Sequence, residues 1–240
     1  MFKSRMKLMA LVMILVVLIS GIIRAQSEGR ISVEVKPGER YKDVTWYWLG
    51  IFPIKSNPQM AIWLEDEQGN YIDTIYVTES SGKSKWSGGK DIRRPDALPI
   101  WSHKRGIKYN DGLYMPTKDK PLVDAITGAT PKKGFTRKWI IPADIKLKQL
   151  VIRLEVNQSI DYNETYKKKL SKNNFNYNDT SGQPSLLWEG EIEIKDGFTT
   201  VLKKVGHGHP SGKNGKLFRN LETITTANEI IESIEIKYLK

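Results

Sequence analysis

The chain has 240 residues, no cysteine and a formal net charge of +11, from 38 Lys and Arg against 27 Asp and Glu. The absence of cysteine excludes a disulfide framework and a cysteine-linked lipid anchor. The basic excess suits anionic surfaces, acidic partners or phosphate, but the bases are scattered and no nucleic-acid motif accompanies them, so nucleic acid is not the expected partner. The first element is a targeting segment. Lys3, Arg5 and Lys7 precede an apolar run from Leu8 to Ile23, and Ala25 is a small residue at a cleavage position. This is the layout of a secretory signal, predicted over residues 1–25. The run is short of the roughly 20 residues that span a bilayer, and an uncleaved helical anchor is the alternative. Without residues 1–25 the chain carries 34 bases and 27 acids, a net charge of +7. An extracytoplasmic protein is therefore expected, with residues 26–240 forming a single domain.

Short alternating segments follow. Ile31 to Val35 reads as a half-buried strand closed by Pro37-Gly38, and Trp46 to Phe52 as an aromatic-rich strand. Gln59 to Leu64 and Tyr71 to Val77 flank Glu65-Asp66-Glu67-Gln68-Gly69-Asn70, which predicts a hairpin. Pro95 and Pro99 predict an extended connection over Arg93 to Lys104, with Ile100 and Trp101 in the core. Another irregular stretch then leads to Asp124-Ala125-Ile126-Thr127-Gly128-Ala129-Thr130, and Phe135 to Ile141 is a short strand.

The stretch from Asp124 to Thr130 reads D-x-x-T-G-A-T. It resembles the target motif of bacterial flavin transferases, which attach FMN through its phosphate to the last threonine. The resemblance implies that Thr130 carries a covalent FMN as a phosphoester. Gly128 and Ala129 leave the backbone open to the enzyme and the phosphate. Asp124 would bind a metal or orient the donor, and Thr127 completes the motif. Lys132, Lys133 and Arg137 stand near enough in sequence to offset phosphate charge. The competing reading is a tight turn, since Thr-Gly followed by Pro-x-x-Gly is ordinary loop chemistry.

A wider resemblance surrounds the motif. Pro58 to Asp66, Gly69, Tyr71 to Ile75, Arg94-Pro95, Leu98 to Trp101, Asp124 to Thr130, Gly134 and Trp139 together resemble the periplasmic family catalogued as domain of unknown function 2271, over roughly residues 58 to 155. The resemblance implies an immunoglobulin-like β-sandwich working in company with flavin transferases and membrane redox proteins. It departs at Ile140-Ile141-Pro142-Ala143-Asp144, where the family has an Asp- and Gly-rich turn.

Beyond the motif, Leu150 to Ile160 alternates. Leu150, Ile152, Leu154, Val156 and Ile160 are expected to form a core face. Arg153, Glu155, Asn157, Ser159 and Asp161 form a polar row, either a ligand- or cation-binding face or the wet face of a sheet. Residues 162–183 read as a long excursion with a helical turn near Tyr162 to Leu170. Leu186 to Ile194 and Phe198 to Val205 predict a second hairpin across Lys195-Asp196-Gly197. Gly206-His207-Gly208-His209-Pro210-Ser211-Gly212 holds two of the three histidines. Two imidazoles are too few for a zinc site, so no metal is expected at His207 and His209, and a flavin-facing role requires this loop to lie near Thr130. Thr225 or Thr226 begins a short helix, and Ile234 to Leu239 is a final strand.

The expected fold is all-β: a two-layer antiparallel β-sandwich, immunoglobulin-like, of at least seven strands, with long loops and little helix. Trp63, Ile62 or Leu64, Ile75, Trp101, Leu154 and Val156 are its expected core, taken from one face of each strand. There is no nucleophile elbow, P-loop or dinucleotide fingerprint, so independent catalysis is not expected. Two functions remain: an exported, flavin-associated electron-transfer protein with FMN on Thr130, or a secreted β-sandwich binding module without flavin.

Overall fold

The computed structural model describes residues 29–47, 52–86, 92–124, 126–129, 131, 133–142, 145 and 147–240. The predicted signal over residues 1–25 lies outside them. Twelve strands stand among the described residues: β1 (Arg30–Pro37), β2 (Asp43–Tyr47), β3 (Phe52–Ser56), β4 (Gln59–Glu65), β5 (Tyr71–Thr78), β6 (Thr127–Gly128), β7 (Phe135–Ile140), β8 (Gln149–Asn157), β9 (Leu186–Glu193), β10 (Thr199–Val201), β11 (Lys203–His207) and β12 (Ile231–Leu239). Two short helices join them, α1 (Glu79–Lys83) and α2 (Pro99–Lys104). One sheet has the order β10-β12-β1-β7 and a larger one β11-β9-β8-β4-β5-β6, with β2-β3 a separate pair. The molecule is mostly β, a sandwich of two antiparallel-rich sheets. The exception is β6, which pairs parallel with β5.

Alternation explains the layer between the sheets. On β1, Ile31, Val33 and Val35 point inward, opposite Tyr238, Ile236 and Ile234 of β12. They meet Met60, Ile62 and Leu64 of β4 and Leu150, Ile152, Leu154 and Val156 of β8. The β4–β5 hairpin forms as expected. Its turn is held by Asp66, whose carboxylate accepts the backbone N–H of Gln68 at 3.0 Å and of Asn70 at 2.7 Å. Gly69 supplies the positive φ of 80°.

The larger sheet is also covered on its outer face. Ala61, Trp63, Val77 and Leu187 form a second apolar cluster with Leu98, Ile100, Trp101 and Met115 from the segment between β5 and β6. Consequently β4 is buried at every position. The expected core residues are all buried, but the expectation of one inward face per strand fails here because an insertion roofs the other face.

Four local expectations are corrected. Arg93 to Lys104 ends in helix α2 rather than an extended connection, with Pro99 at its start, where a missing N–H costs nothing. The strand expected from Trp46 to Phe52 is instead two paired strands, β2 and β3, on either side of residues 48–51. Phe198 to Val205 is not one strand. Thr199–Val201 pairs with β12 in the smaller sheet, whereas Lys203–His207 pairs with β9 in the larger. No helix forms near Tyr162, where Asp161 bridges to Gly182 instead.

Candidate functional site

The flavin-transferase-like motif lies on the open side of the sandwich, where an edge of each sheet comes close. β6 is the last strand of the larger sheet, and β7 is an edge of the smaller. Ile126 accepts the backbone N–H of Val77 at 2.9 Å, and Thr127 and Gly128 then run beside Val77 and Thr78. The inward face of β7 supplies Phe135, Arg137 and Trp139, opposite Val35, Val33 and Ile31 of β1. Trp139 Nε1 crosses to the other sheet and donates to Asp73 Oδ2 at 3.0 Å.

Tyr76 ties the motif down. Its hydroxyl donates to the carbonyl of Ala129 at 3.1 Å, with Gly128 O at 3.4 Å. The Arg137 guanidinium lies over the Tyr76 ring at 4.6 Å from its centroid, and Phe135 packs on that ring at 5.2 Å. Gly128 is needed in this corner. A Cβ there would stand 3.0 Å from Tyr76 Cε2 and 3.1 Å from Arg137 Nη2. Burial pushes the Tyr76 hydroxyl up to about 12, against the opposing pull of Arg137, so it remains a neutral donor.

Arg137 is half-buried, and no carboxylate among the described residues pairs with it. Its Nε is buried without a hydrogen-bond partner among the described residues. A guanidinium so placed is suited to a phosphate oxygen. Asp124 is the solvent end of the motif, 90 % exposed, in an ion pair with Lys83 of α1. The hydrogen bond and charge of Lys83 hold the Asp124 carboxyl below its usual range. Thr127 Oγ1 is buried without a partner, and its methyl lies against Gly82 of α1, where a Cβ would come within 2.8 Å. Thr130 itself, with Ala125 and Lys132, lies outside the described residues. Asp124, Thr127, Gly128 and Ala129 therefore share one corner. Lys133 is exposed beside it. Tyr76 is the partner that sequence reading missed. It reads there only as an aromatic residue in a strand, and its meeting with Ala129 spans 53 positions.

The histidine loop is elsewhere. His207 ends β11, the edge of the larger sheet opposite to β6, so the loop does not face the motif. His207 Nδ1 lies 2.7 Å from Gly208 O, and its ring stacks on Phe218 at 5.5 Å. His209 Nδ1 accepts the backbone N–H of Ser211 at 3.2 Å, and its ring meets Phe175 and Phe218 edge-on. Burial, then the charge of Lys213, holds His209 down to about 4, and burial also lowers His207. No group of three or more His, Asp or Glu able to hold a metal occurs among the described residues.

The polar row that runs from Arg153 in β8 to Asp161 is not a wet face, for Glu155, Asn157 and Asp161 are buried. The protein uses it to fasten its own covering segments. Arg153 pairs with buried Glu65 at 3.3 Å and with Glu189 at 2.8 Å. Glu155 accepts the backbone N–H groups of Ile100 at 3.1 Å and Trp101 at 2.8 Å, and the Ser185 hydroxyl at 2.5 Å. Asn157 donates to Gln183 O at 3.3 Å, Ser159 accepts from Arg94 at 3.2 Å, and Asp161 accepts from Thr226. Burial pushes the Glu155 carboxyl up to about 7, against the three hydrogen bonds that favour its charge.

Compared with protein-family models, curated proteins and solved structures, the chain matches none.

Proposed function

We propose that this chain is an exported, flavin-associated electron-transfer protein of the domain of unknown function 2271 type, with FMN held as a phosphoester on Thr130. The observation that carries the reading is the Arg137 guanidinium, which no carboxylate among the described residues pairs, lying over Tyr76 and against Gly128, two residues before Thr130 in the chain. A phosphodiester is an anion, and such a cation beside it offsets its charge and fixes its oxygens. The tie from Tyr76 to Ala129 fixes the backbone just before the acceptor, while exposed Asp124 leaves the motif open to a transferring enzyme.

The transfer involves no redox change. The Thr130 hydroxyl oxygen attacks the FMN phosphorus of a phosphoanhydride donor. An O–P bond forms and the anhydride P–O bond breaks. The departing phosphate takes the electron pair, and the hydroxyl proton goes to solvent or to a base of the flavin transferase. Thereafter the flavin carries the electrons, and the protein holds and orients it. A covalent tether suits a protein outside the cytoplasm, where a dissociated FMN is lost, and its expected partners are membrane redox proteins.

Co-expression with an active flavin transferase tests this. The expected result is a fluorescent band on a denaturing gel and a mass gain of one FMN less water, both absent in Thr130→Ala. An unmodified mass with the transferase demonstrably active leaves the chain as a secreted binding module.

A further inference from the structure

A cavity of about 550 Å³ lies between α2, the segment around Tyr114 and the loop that follows His209. It shares no lining residue with the flavin motif, and nothing argued for Thr130 accounts for it. Its volume is that of a site for a small organic molecule.

The walls are held together by close backbone approach. Gly212 has φ +68°, and a Cβ there would stand 2.1 Å from the carbonyl oxygen of Pro95. A Cβ on Gly215 would stand 2.5 Å from His103 Cβ. The loop docks this closely, against Pro95 through Gly212 and against α2 through Gly215, because both positions are glycine, so the space is built into the fold.

The lining is chemically one-sided. Among the described residues Lys108 and Lys213 are its only lysines, and no Asp or Glu lines it. Neither lysine is in an ion pair with a described residue. His103 is fixed at Nδ1, 2.8 Å from the carbonyl of Pro99, and its ring stacks on Tyr114 at 4.2 Å between centroids. That leaves Nε2 as the nitrogen without a partner among the described residues. The amide oxygen of Asn214 is taken by the backbone N–H of Lys216 at 3.1 Å, which leaves its NH₂ as a donor. Leu113, Tyr114 and Met115 supply the apolar wall. Two cations and a spare amide donor at the rim, over an aromatic and thioether wall, are complementary to a molecule with an anionic head and an apolar body.

We infer that this cavity is a binding site for an organic anion, an aromatic or similarly flat body carrying a carboxylate or a phosphate ester. The head sits between Lys108 and Lys213, and the body packs against Tyr114 and Met115. The inference is independent of the flavin reading, and either stands if the other falls.

The test is calorimetric titration of the folded chain with phenyl phosphate, benzoate, benzyl alcohol and inorganic phosphate. The expected result is one saturable site for at least one of the two aromatic anions, with benzyl alcohol and inorganic phosphate at least tenfold weaker. Comparing phenyl phosphate with benzoate identifies the preferred head group. A Lys108→Gln, Lys213→Gln double variant should weaken the aromatic anion at least tenfold. Both lysines are exposed, so its unfolding transition should match that of the parent. Tyr114→Ala should weaken the same ligand separately. Should Tyr114→Ala fail to fold, a ligand-induced shift of the Met115 methyl resonance in the unmodified protein takes its place. No saturable binding of either aromatic anion overturns the inference. So does binding unchanged in the lysine variant, equal binding of benzyl alcohol, or equal binding of inorganic phosphate.

Discussion

Glu155 accepts the backbone N–H of Trp101 at 2.8 Å, and this contact joins β8 to the helix that lies across it. The carboxylate is wholly buried, and its other oxygen takes Ile100 and Ser185. One acidic side chain on the outer face of the larger sheet thus anchors the segment that roofs it.

The raised Glu155 value has a pH signature. A carboxyl that titrates near 7 when folded, and in the ordinary glutamate range when unfolded, holds a proton in the folded state alone between those limits. Its contribution therefore improves as pH falls through that window, and its full cost stands above pH 7. The shift corresponds to about 3 kcal/mol. Glu155→Gln should lose this term. The stability difference between variant and wild type should thus move by about 2–3 kcal/mol in favour of wild type between pH 8 and pH 5. Urea midpoints at the two pH values check it, and a constant difference would refute it.

His209 works in the opposite direction. Its value falls to about 4 when folded, so the unfolded chain binds a proton first, and stability is lost as pH drops from about 6.5 towards 4. His209→Gln should flatten that loss. Wild type is expected to show a shallow acid profile, because the Glu155 and His209 contributions oppose each other in overlapping windows. Thermal midpoints of the two single variants from pH 7.5 to 4.5 should diverge with opposite slopes.

Trp101 is fully buried, and its indole N–H donates to Thr74 Oγ1 at 2.9 Å. Trp101→Ala leaves a cavity between α2 and β5 and should cost about 3–5 kcal/mol by chemical denaturation. Wild-type stability in that variant would contradict the place of Trp101 in the second core.

Two glycines with positive φ separate strain from crowding. Gly197 has φ +75° and nothing within 4 Å of its Cβ position, so Gly197→Ala should cost only about 1 kcal/mol. Gly212 has a similar φ but faces the Pro95 carbonyl at 2.1 Å, so Gly212→Ala adds a backbone clash and should cost roughly 2–4 kcal/mol. Denaturation midpoints of the pair measure the difference.

If Thr130 carries FMN, Arg137→Ala removes a guanidinium that no carboxylate among the described residues pairs. A charge-assisted contact is worth about 1.5–3 kcal/mol, so the modification rate should fall roughly tenfold or more. Arg137→Lys should restore part of it. An unchanged rate in Arg137→Ala, with flavin still on Thr130, would separate Arg137 from the phosphate.

Much of the sandwich was legible because its inner strands alternate. Ile31, Val33 and Val35 announce β1, and the Asp66 to Asn70 turn announces β4 and β5. What escaped was set by distant partners. The Phe198 to Val205 run looks continuous, yet Leu202 N–H bonds to Ile234 O and the chain changes sheets around it. Glu155 looks like a wet-face residue because no local pattern shows that a segment some 50 residues earlier folds over it. Pro99 was a readable signal, since proline opens helices as well as breaking strands. The motif corner was half legible. Its residues are contiguous, but Tyr76 and Arg137 reach it from two different sheets.

The pairing of β1 with β12 fixes an order of assembly. The larger sheet, from β4 to β11, draws on residues 59–207 and can form as those emerge. β1 is made first among the described strands, yet its partner β12 follows about 200 residues later. At roughly 5–20 residues per second of synthesis, Ile31, Val33 and Val35 wait some tens of seconds without that neighbour. Closing so long a loop is entropically slow. The β1–β7 pair of the smaller sheet can form earlier, and its completion by β12 is the expected late step of folding. Until Ile231–Leu239 arrives, the nascent chain carries an apolar strand and an open layer of the larger sheet, which are the surfaces a holding chaperone recognises.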